Sequence, residues 1–121
     1  MEKELSDRRI LMFVDDVYED LELWYPKLRL REAGASVTVA GPEADRKYAG
    51  KHGYPCTAEA SIAEIEAADF DGVVIPGGFA PDFMRRSPDC LKLIKTLHDQ
   101  GKMVAFICHA GWLPISAGIV K

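Results

Sequence analysis

No apolar run in this 121-residue chain approaches the roughly 20 residues that a membrane-crossing helix needs. The start, Met1-Glu2-Lys3-Glu4, lacks the charged-then-apolar order of a secretion signal. A cytoplasmic location and no membrane partner are therefore expected. Only three cysteines occur, Cys56, Cys90 and Cys108, an odd set without C-x-x-C spacing, which argues against a disulfide framework and for reduced thiols. Basic residues are not in excess: 15 Lys and Arg against 19 Asp and Glu give a net charge of -4, with no stripe to hold nucleic acid or an anionic bilayer. Repeats, linkers and low-complexity tracts are missing as well. With 48% apolar and 28% charged residues, the chain reads as one globular domain over 1–121, open to small neutral or electrophilic substrates.

The apolar runs set the architecture. Arg9-Ile10-Leu11-Met12-Phe13-Val14 ends in Asp15-Asp16, as a buried parallel strand ends in a polar loop. Leu21, Trp24, Leu28 and Leu30 then fall near helical spacing before Gly34, and Pro26 moves the expected helix start to Glu22 or Leu23. Val37–Ala40 is a second strand, 43–53 a loop or small hairpin, and Ser61–Glu66 a short helix. Asp71–Ile75 is a third buried strand, stopped by Pro76-Gly77-Gly78. Ser87 caps a helix carrying Leu91, Ile94, Leu97 and His98, and Met103–Ile107 is a fourth buried strand after Gly101. Strand alternating with helix implies a mostly parallel sheet covered on both faces, with ligands beyond the carboxyl ends of its strands.

The unusual residues gather at those ends. Cys108 stands where an apolar strand gives way to a small-residue helix start, a corner where the helix dipole and unpaired N–H groups favour thiolate. His109 can supply or hold a proton. Gly77 and Gly78 let the backbone approach a ligand, so the N–H groups of Gly78 and His109 are candidates for an oxyanion hole. Glu19 and Glu22, past the first strand, are carboxylates that could accept the thiol proton or hydrogen-bond the sulfur. The plainer reading makes Cys108 an apolar filler, Gly77-Gly78 a turn, and Glu19 and Glu22 solvated helix-start acids; the C-H-A-G context favours function. Cys56 and Cys90 are expected to be structural, His52 a loop residue, His98 a helix-face residue, and Trp24 and Trp112 core. Two other chemistries drop out. Phe13-Val14-Asp15-Asp16 looks like the acidic pair of a receiver domain, but no phosphoacceptor aspartate ends the third strand, and Gly50-Lys51-His52-Gly53 lacks phosphate-loop spacing. Adjacent Cys108 and His109 do not converge on one metal ion, so neither metal nor cofactor is expected.

Taken in order, Glu19-Asp20-Leu21-Glu22 with Tyr25-Pro26, Gly50-Lys51-His52-Gly53-Tyr54, Val74-Ile75-Pro76-Gly77-Gly78, Ile107-Cys108-His109-Ala110-Gly111-Trp112 and Ile115-Ser116-Ala117-Gly118-Ile119-Val120 resemble the PfpI/ThiJ superfamily. Its members include intracellular cysteine peptidases, parkinsonism-associated deglycase-like proteins and glyoxalase III-type enzymes. The resemblance implies an α/β flavodoxin-like fold, also called class I glutamine amidotransferase-like, a three-layer sandwich on a mostly parallel sheet. It implies Cys108 as nucleophile, Glu22 as the carboxyl that contacts it, His109 as the adjacent imidazole, and Asp82 as a carboxylate acting in trans within a homo-oligomer, dimer or hexamer. Two positions depart from the pattern: Asp82 stands where glutamate is usual and Phe106 where a small residue is usual. Family domains continue past the last helix here, so the chain is expected to be the N-terminal two-thirds of a complete domain, its sheet incomplete on the C-terminal side. The expected function is a cysteine-nucleophile enzyme acting on carbonyl carbon, in small 2-oxoaldehydes such as methylglyoxal or in peptide and amide bonds. Its rival is an oxidative-stress sensor or chaperone in which Cys108 is oxidised to a sulfinate held by Glu22.

Overall fold

Strand β1 (Arg9–Phe13) is the centre of the molecule, and from Ile10 onward it is buried on both faces. In the computed structural model, which describes residues 3–120, helix α1 (Asp20–Glu32) leads from it to β2 (Ser36–Gly41). Met1 and Glu2 of the polar start, and Lys121, lie outside the described residues. An antiparallel hairpin of β3 (Lys47–Ala49) and β4 (Pro55–Thr57) follows, then a short edge strand β5 (Ala60–Ser61). Next come β6 (Gly72–Ile75), α2 (Ala80–Met84), α3 (Pro88–Asp99), β7 (Met103–Phe106), a tight turn over Cys108–Gly111, and α4 (Trp112–Ser116).

The main sheet has the order β5-β2-β1-β6-β7, every neighbour pair parallel. From β1 the chain steps to β2 on one side, and from β6 to β7 on the other. Right-handed crossovers in opposite directions put α1 and α3 on opposite faces. That makes the three-layer α/β sandwich of flavodoxin-like type, with its switch point between β1 and β6, where a crevice forms at the strand ends. Leu11, Met12, Phe13, Val39, Val73 and Ile75 from the sheet pack with Leu23 of α1 and Cys90, Ile94 and Leu97 of α3, all nearly or fully buried. Each large side chain of this kind contributes about 1.5–3 kcal/mol. On α3 the buried positions Cys90, Leu93, Ile94 and Leu97 form one stripe, and the Ser87 Oγ caps the helix by accepting the Cys90 N–H at 3.3 Å.

Several local expectations need correction. Helix α1 begins at Asp20, not at Glu22 or Leu23, because the Glu19 side chain caps it by accepting the Leu21 N–H at 3.3 Å. Pro26 lies inside the helix and removes one N–H without ending it. Its buried residues are Asp20, Leu23 and Lys27, whereas Leu21 and Leu28, expected to face the core, are 73% and 56% exposed. The short helix expected over 61–66 is a 3-10 helix confined to Ile62–Glu64, and a second one covers Ala67–Asp69. Strand β7 is not buried: Met103 and Phe106 are about half exposed, since β7 is the last strand on its side of the sheet. Within the motif Ile115–Val120, helix α4 ends at Ser116, and Gly118 turns the chain at φ +82°.

Candidate functional site

Three strand ends meet at one rim. The segment Val17-Tyr18-Glu19 after β1 runs between the loop after β6 and the hairpin: Glu19 N–H donates to Gly77 O at 3.1 Å, Phe79 N–H to Val17 O at 2.9 Å, and Lys51 N–H to Tyr18 O at 2.7 Å. Val17 is held at φ +62°, a conformation unfavourable for a β-branched residue, by bonds at both its N–H and its C=O. Tyr18 anchors the segment from below. Its ring is fully buried, its hydroxyl donates to Tyr54 O and accepts from Trp24 Nε1, and burial pushes its phenol up to about 12.

Cys108 follows β7 and adopts φ +58°, so the chain bends sharply and the thiol residue is exposed. A non-glycine residue in this region costs about 1–3 kcal/mol and persists only where surroundings enforce it; the Ala110 N–H bond to Ile107 O, 3.1 Å, closes the turn. Glu22 comes from α1 to meet it. One Glu22 carboxylate oxygen accepts the Gly77 N–H at 2.9 Å, and a Cβ placed on Gly77 would lie 2.5 Å from that oxygen and 2.8 Å from the Cys108 Cβ. Carboxylate and thiol residue therefore converge only because position 77 has no side chain. Gly78, at φ +80°, packs as closely on the other side, where a Cβ would lie 2.5 Å from Glu19 N.

These residues line a cavity of about 210 Å³ formed by Glu19, Glu22, Lys51, Gly78, Phe79, Cys108 and His109. Cys108, His109, Glu22, Glu19 and Gly78 are thus brought together as expected. Gly77 differs in role: its N–H is committed to Glu22, while Gly78 and His109 line the cavity. Asp82 is not brought in; it lies in the first turn of α2 and pairs with Arg86 at 3.5 Å. The helix after Cys108 is a tight turn and then five residues, so its dipole is weaker than that of a long helix. A larger hollow of about 360 Å³ beside α3 has no cysteine in its lining, so size alone does not select the site.

Other contacts lay outside the sequence reading. The His109 ring stacks on Trp112 at 4.8 Å between centroids, and Phe79 meets it edge-on at 6.4 Å. Trp112 is accordingly half-buried beside the site, not core; Trp24 is also half-buried, with Lys27 Nζ 4.3 Å from its ring centroid. Lys51 was legible only as part of the Gly50-Lys51-His52-Gly53 loop, with no role attached. His52 Nε2 lies 3.6 Å from Glu19 Oε2, and Asp20 accepts the N–H groups of His52 and Tyr54 at 2.9 and 3.0 Å. Burial opposes the Asp20 charge, but those N–H bonds outweigh it and hold the carboxyl below its usual range. Glu19, Asp20 and His52 present ligand atoms within 4.8 Å of one another, yet both Asp20 oxygens already accept backbone N–H groups.

The sequence pattern of the DJ-1/PfpI family matches residues 8–121. The chain belongs to the DJ-1/PfpI family. Among its relatives is a deglycase of Thermococcus kodakarensis, 39% identical over 93% of this chain and 68% of that protein. Another is the deglycase PfpI of Pyrococcus furiosus, 37% identical with the same coverage. A two-domain protein of Anabaena variabilis with DJ-1/ThiJ/PfpI-like and ferritin-like domains superposes with a TM-score of 0.92 at 36% identity, covering 94% of this chain and 33% of that one. The oxidized DJ-1 of Toxoplasma gondii superposes at 0.86 with 29% identity, over 93% of this chain and 62% of that one. This chain thus spans about two-thirds of the deglycases and a third of the two-domain protein. The mostly parallel sheet read from the alternation of strands and helices, and the flavodoxin-like fold that the resemblance implied, are those of the DJ-1/PfpI neighbours. Among the described residues, no helix is long and apolar enough to cross a membrane.

Proposed function

We propose that the chain carries the nucleophile of a DJ-1/PfpI-family enzyme that acts on carbonyl carbon, with small 2-oxoaldehydes as the favoured substrate class and amide bonds as the alternative. One observation carries the reading: an exposed cysteine in a left-handed bend shares a small cavity with a carboxylate anchored on the neighbouring glycine amide. In this scheme Glu22 or His109 takes the thiol proton, and the Cys108 sulfur adds to the carbonyl carbon. The C=O electron pair moves onto oxygen, which receives hydrogen bonds from the Gly78 and His109 N–H groups. With an aldehyde the adduct is a hemithioacetal. The cavity volume of about 210 Å³ suits a small electrophile better than a folded peptide segment. Asp82 would act from a second copy of the chain on His109, which makes a homo-oligomer part of the proposal. Replacement Cys108→Ala in the full protein should abolish methylglyoxal consumption and amide cleavage alike; persistence of both activities removes the enzyme reading.

A second reading rests on the same exposed thiol beside Glu22: mild peroxide oxidises Cys108 to a sulfinate that the Glu22 carboxyl hydrogen-bonds. Mass spectrometry after mild peroxide treatment separates the two. Selective oxidation at Cys108 in a protein that turns over neither substrate supports the sensor.

A further inference from the structure

The turn that follows Cys108 brings two rings together. Cys108–Gly111 is a 3-10 helix, with three residues to the turn, so side chains three apart lie one above the other. His109 and Trp112 are such a pair. Their ring centroids are 4.8 Å apart and their planes 12° from parallel, while the Phe79 ring meets the imidazole at 69° with centroids 6.4 Å apart. An α-helical turn would set the same two side chains about 60° apart around its axis.

The indole is itself tethered. Arg85, which follows α2, places its guanidinium carbon 5.3 Å from the Trp112 ring centroid, and its Nε donates to the Ser116 Oγ at 3.2 Å. One side chain thus ties the end of α2 to α4 through the Trp112 ring, and a guanidinium over an indole is an attractive contact. The imidazole has no such polar anchor. Among the described residues neither of its nitrogens makes a hydrogen bond, and Asp82 is paired with Arg86 at 3.5 Å. A general base acts when its ring is held toward the proton it takes, commonly by a third group hydrogen-bonded behind it. Within this chain the ring stack stands in that place.

We propose that Trp112 is the positioning residue for His109: its indole, tethered by Arg85, fixes the imidazole at the edge of the Cys108 cavity within a single chain. This role rests on the enzyme reading above, in which an imidazole nitrogen takes the thiol proton and the S–H electron pair stays on sulfur. An aromatic stack favours one ring placement by about two- to tenfold over its alternatives. A base that leaves its place loses turnover, because the geometry of proton transfer is no longer set in advance.

The test pairs NMR of the histidine ring protons with the kinetics of methylglyoxal consumption in the full protein, for wild type, Trp112→Leu, Trp112→Phe and Cys108→Ala. The spectra are taken at about pH 8.5, where ordinary imidazoles are neutral. There the His109 ring protons of wild type should resonate upfield of those of His52 and His98, which are exposed and stack on no ring among the described residues. Trp112→Leu should lose that shift and lower kcat about tenfold, with KM within about twofold of wild type. Trp112→Phe keeps an aromatic face and should restore most of both. Should Trp112→Leu not fold, wild type and Trp112→Phe decide, since the upfield shift has to be present in each. His109 protons without the shift, a shift that survives Trp112→Leu, or a lost shift with kcat unaltered would each overturn the role of Trp112. Turnover that persists in Cys108→Ala overturns the enzyme reading and this role with it, a failure told apart by a ring shift that remains.

Discussion

Gly77→Ala is the sharpest perturbation the site offers. The new methyl would stand 2.5 Å from a Glu22 carboxylate oxygen and 2.8 Å from the Cys108 Cβ, where real contacts need more than 3 Å. Because Ile107 O lies 3.1 Å away on the same side, relief has to come from the Glu22 side chain swinging out. That breaks its 2.9 Å bond to the Gly77 N–H. Overpacking of this kind costs about 1–3 kcal/mol and a hydrogen bond to a charged group about 1.5–3 kcal/mol, so a loss of about 3–5 kcal/mol is expected. At the slope typical of small domains in urea, the unfolding midpoint should drop by about 2 M. Glu22→Gln is the matched control, since it keeps an acceptor oxygen and the side-chain shape and should cost only about 1 kcal/mol. Urea unfolding of both variants would be paired with the rate of Cys108 alkylation across pH, which both should change if the carboxyl communicates with the sulfur. A Gly77→Ala protein within about 0.5 kcal/mol of wild type, with an unaltered alkylation profile in both variants, would refute the convergence of Glu22 and Cys108 on this glycine.

Two further outcomes follow from burial and charge. In the native protein iodoacetamide should label Cys108 alone, because Cys56 and Cys90 are buried and burial raises both thiols, Cys90 to about 12; peptide mapping that finds either one labelled as fast as Cys108 contradicts this. Asp20→Asn should cost about 1–2 kcal/mol and speed amide exchange at His52 and Tyr54, whose N–H groups the carboxylate holds. The folded Asp20 carboxyl sits below its usual range, so its contribution is complete above that range and is lost as pH falls through the lowered value; the stability difference between wild type and variant should therefore shrink in acid.

Much of this molecule was legible before any coordinates. The strands β1, β2 and β6 and helix α3 were readable because hydrophobic runs and stripes, a Ser87 cap and Gly-Pro stops are local signals. The start of α1 was misread because Pro26 suggested a late beginning, whereas the cap that decides it is a side-chain bond made by Glu19. The buried face of α1 was misread because its core contacts fall on Asp20, Leu23 and Lys27, so that hydrophobicity and burial diverge along this helix. Strand β7 has the composition of a buried strand and lies at an edge, since composition records what a strand can bury and not what is present to cover it.

The amino-acid order alone determined the fold class, the family motifs, and a cysteine at a strand end with glycines and acids to accompany it. Only the tertiary structure decided which of these meet. Gly77 serves as the seat of Glu22, Asp82 stays away from the cavity within one chain, and Lys51, Phe79 and Trp112 join the site from segments distant in sequence. The physical reason is that periodicity and turn chemistry act over a few residues, whereas the rim is assembled by parallel crossovers that bring residues 19–22, 51, 77–79 and 108–112 together across the switch point of the sheet.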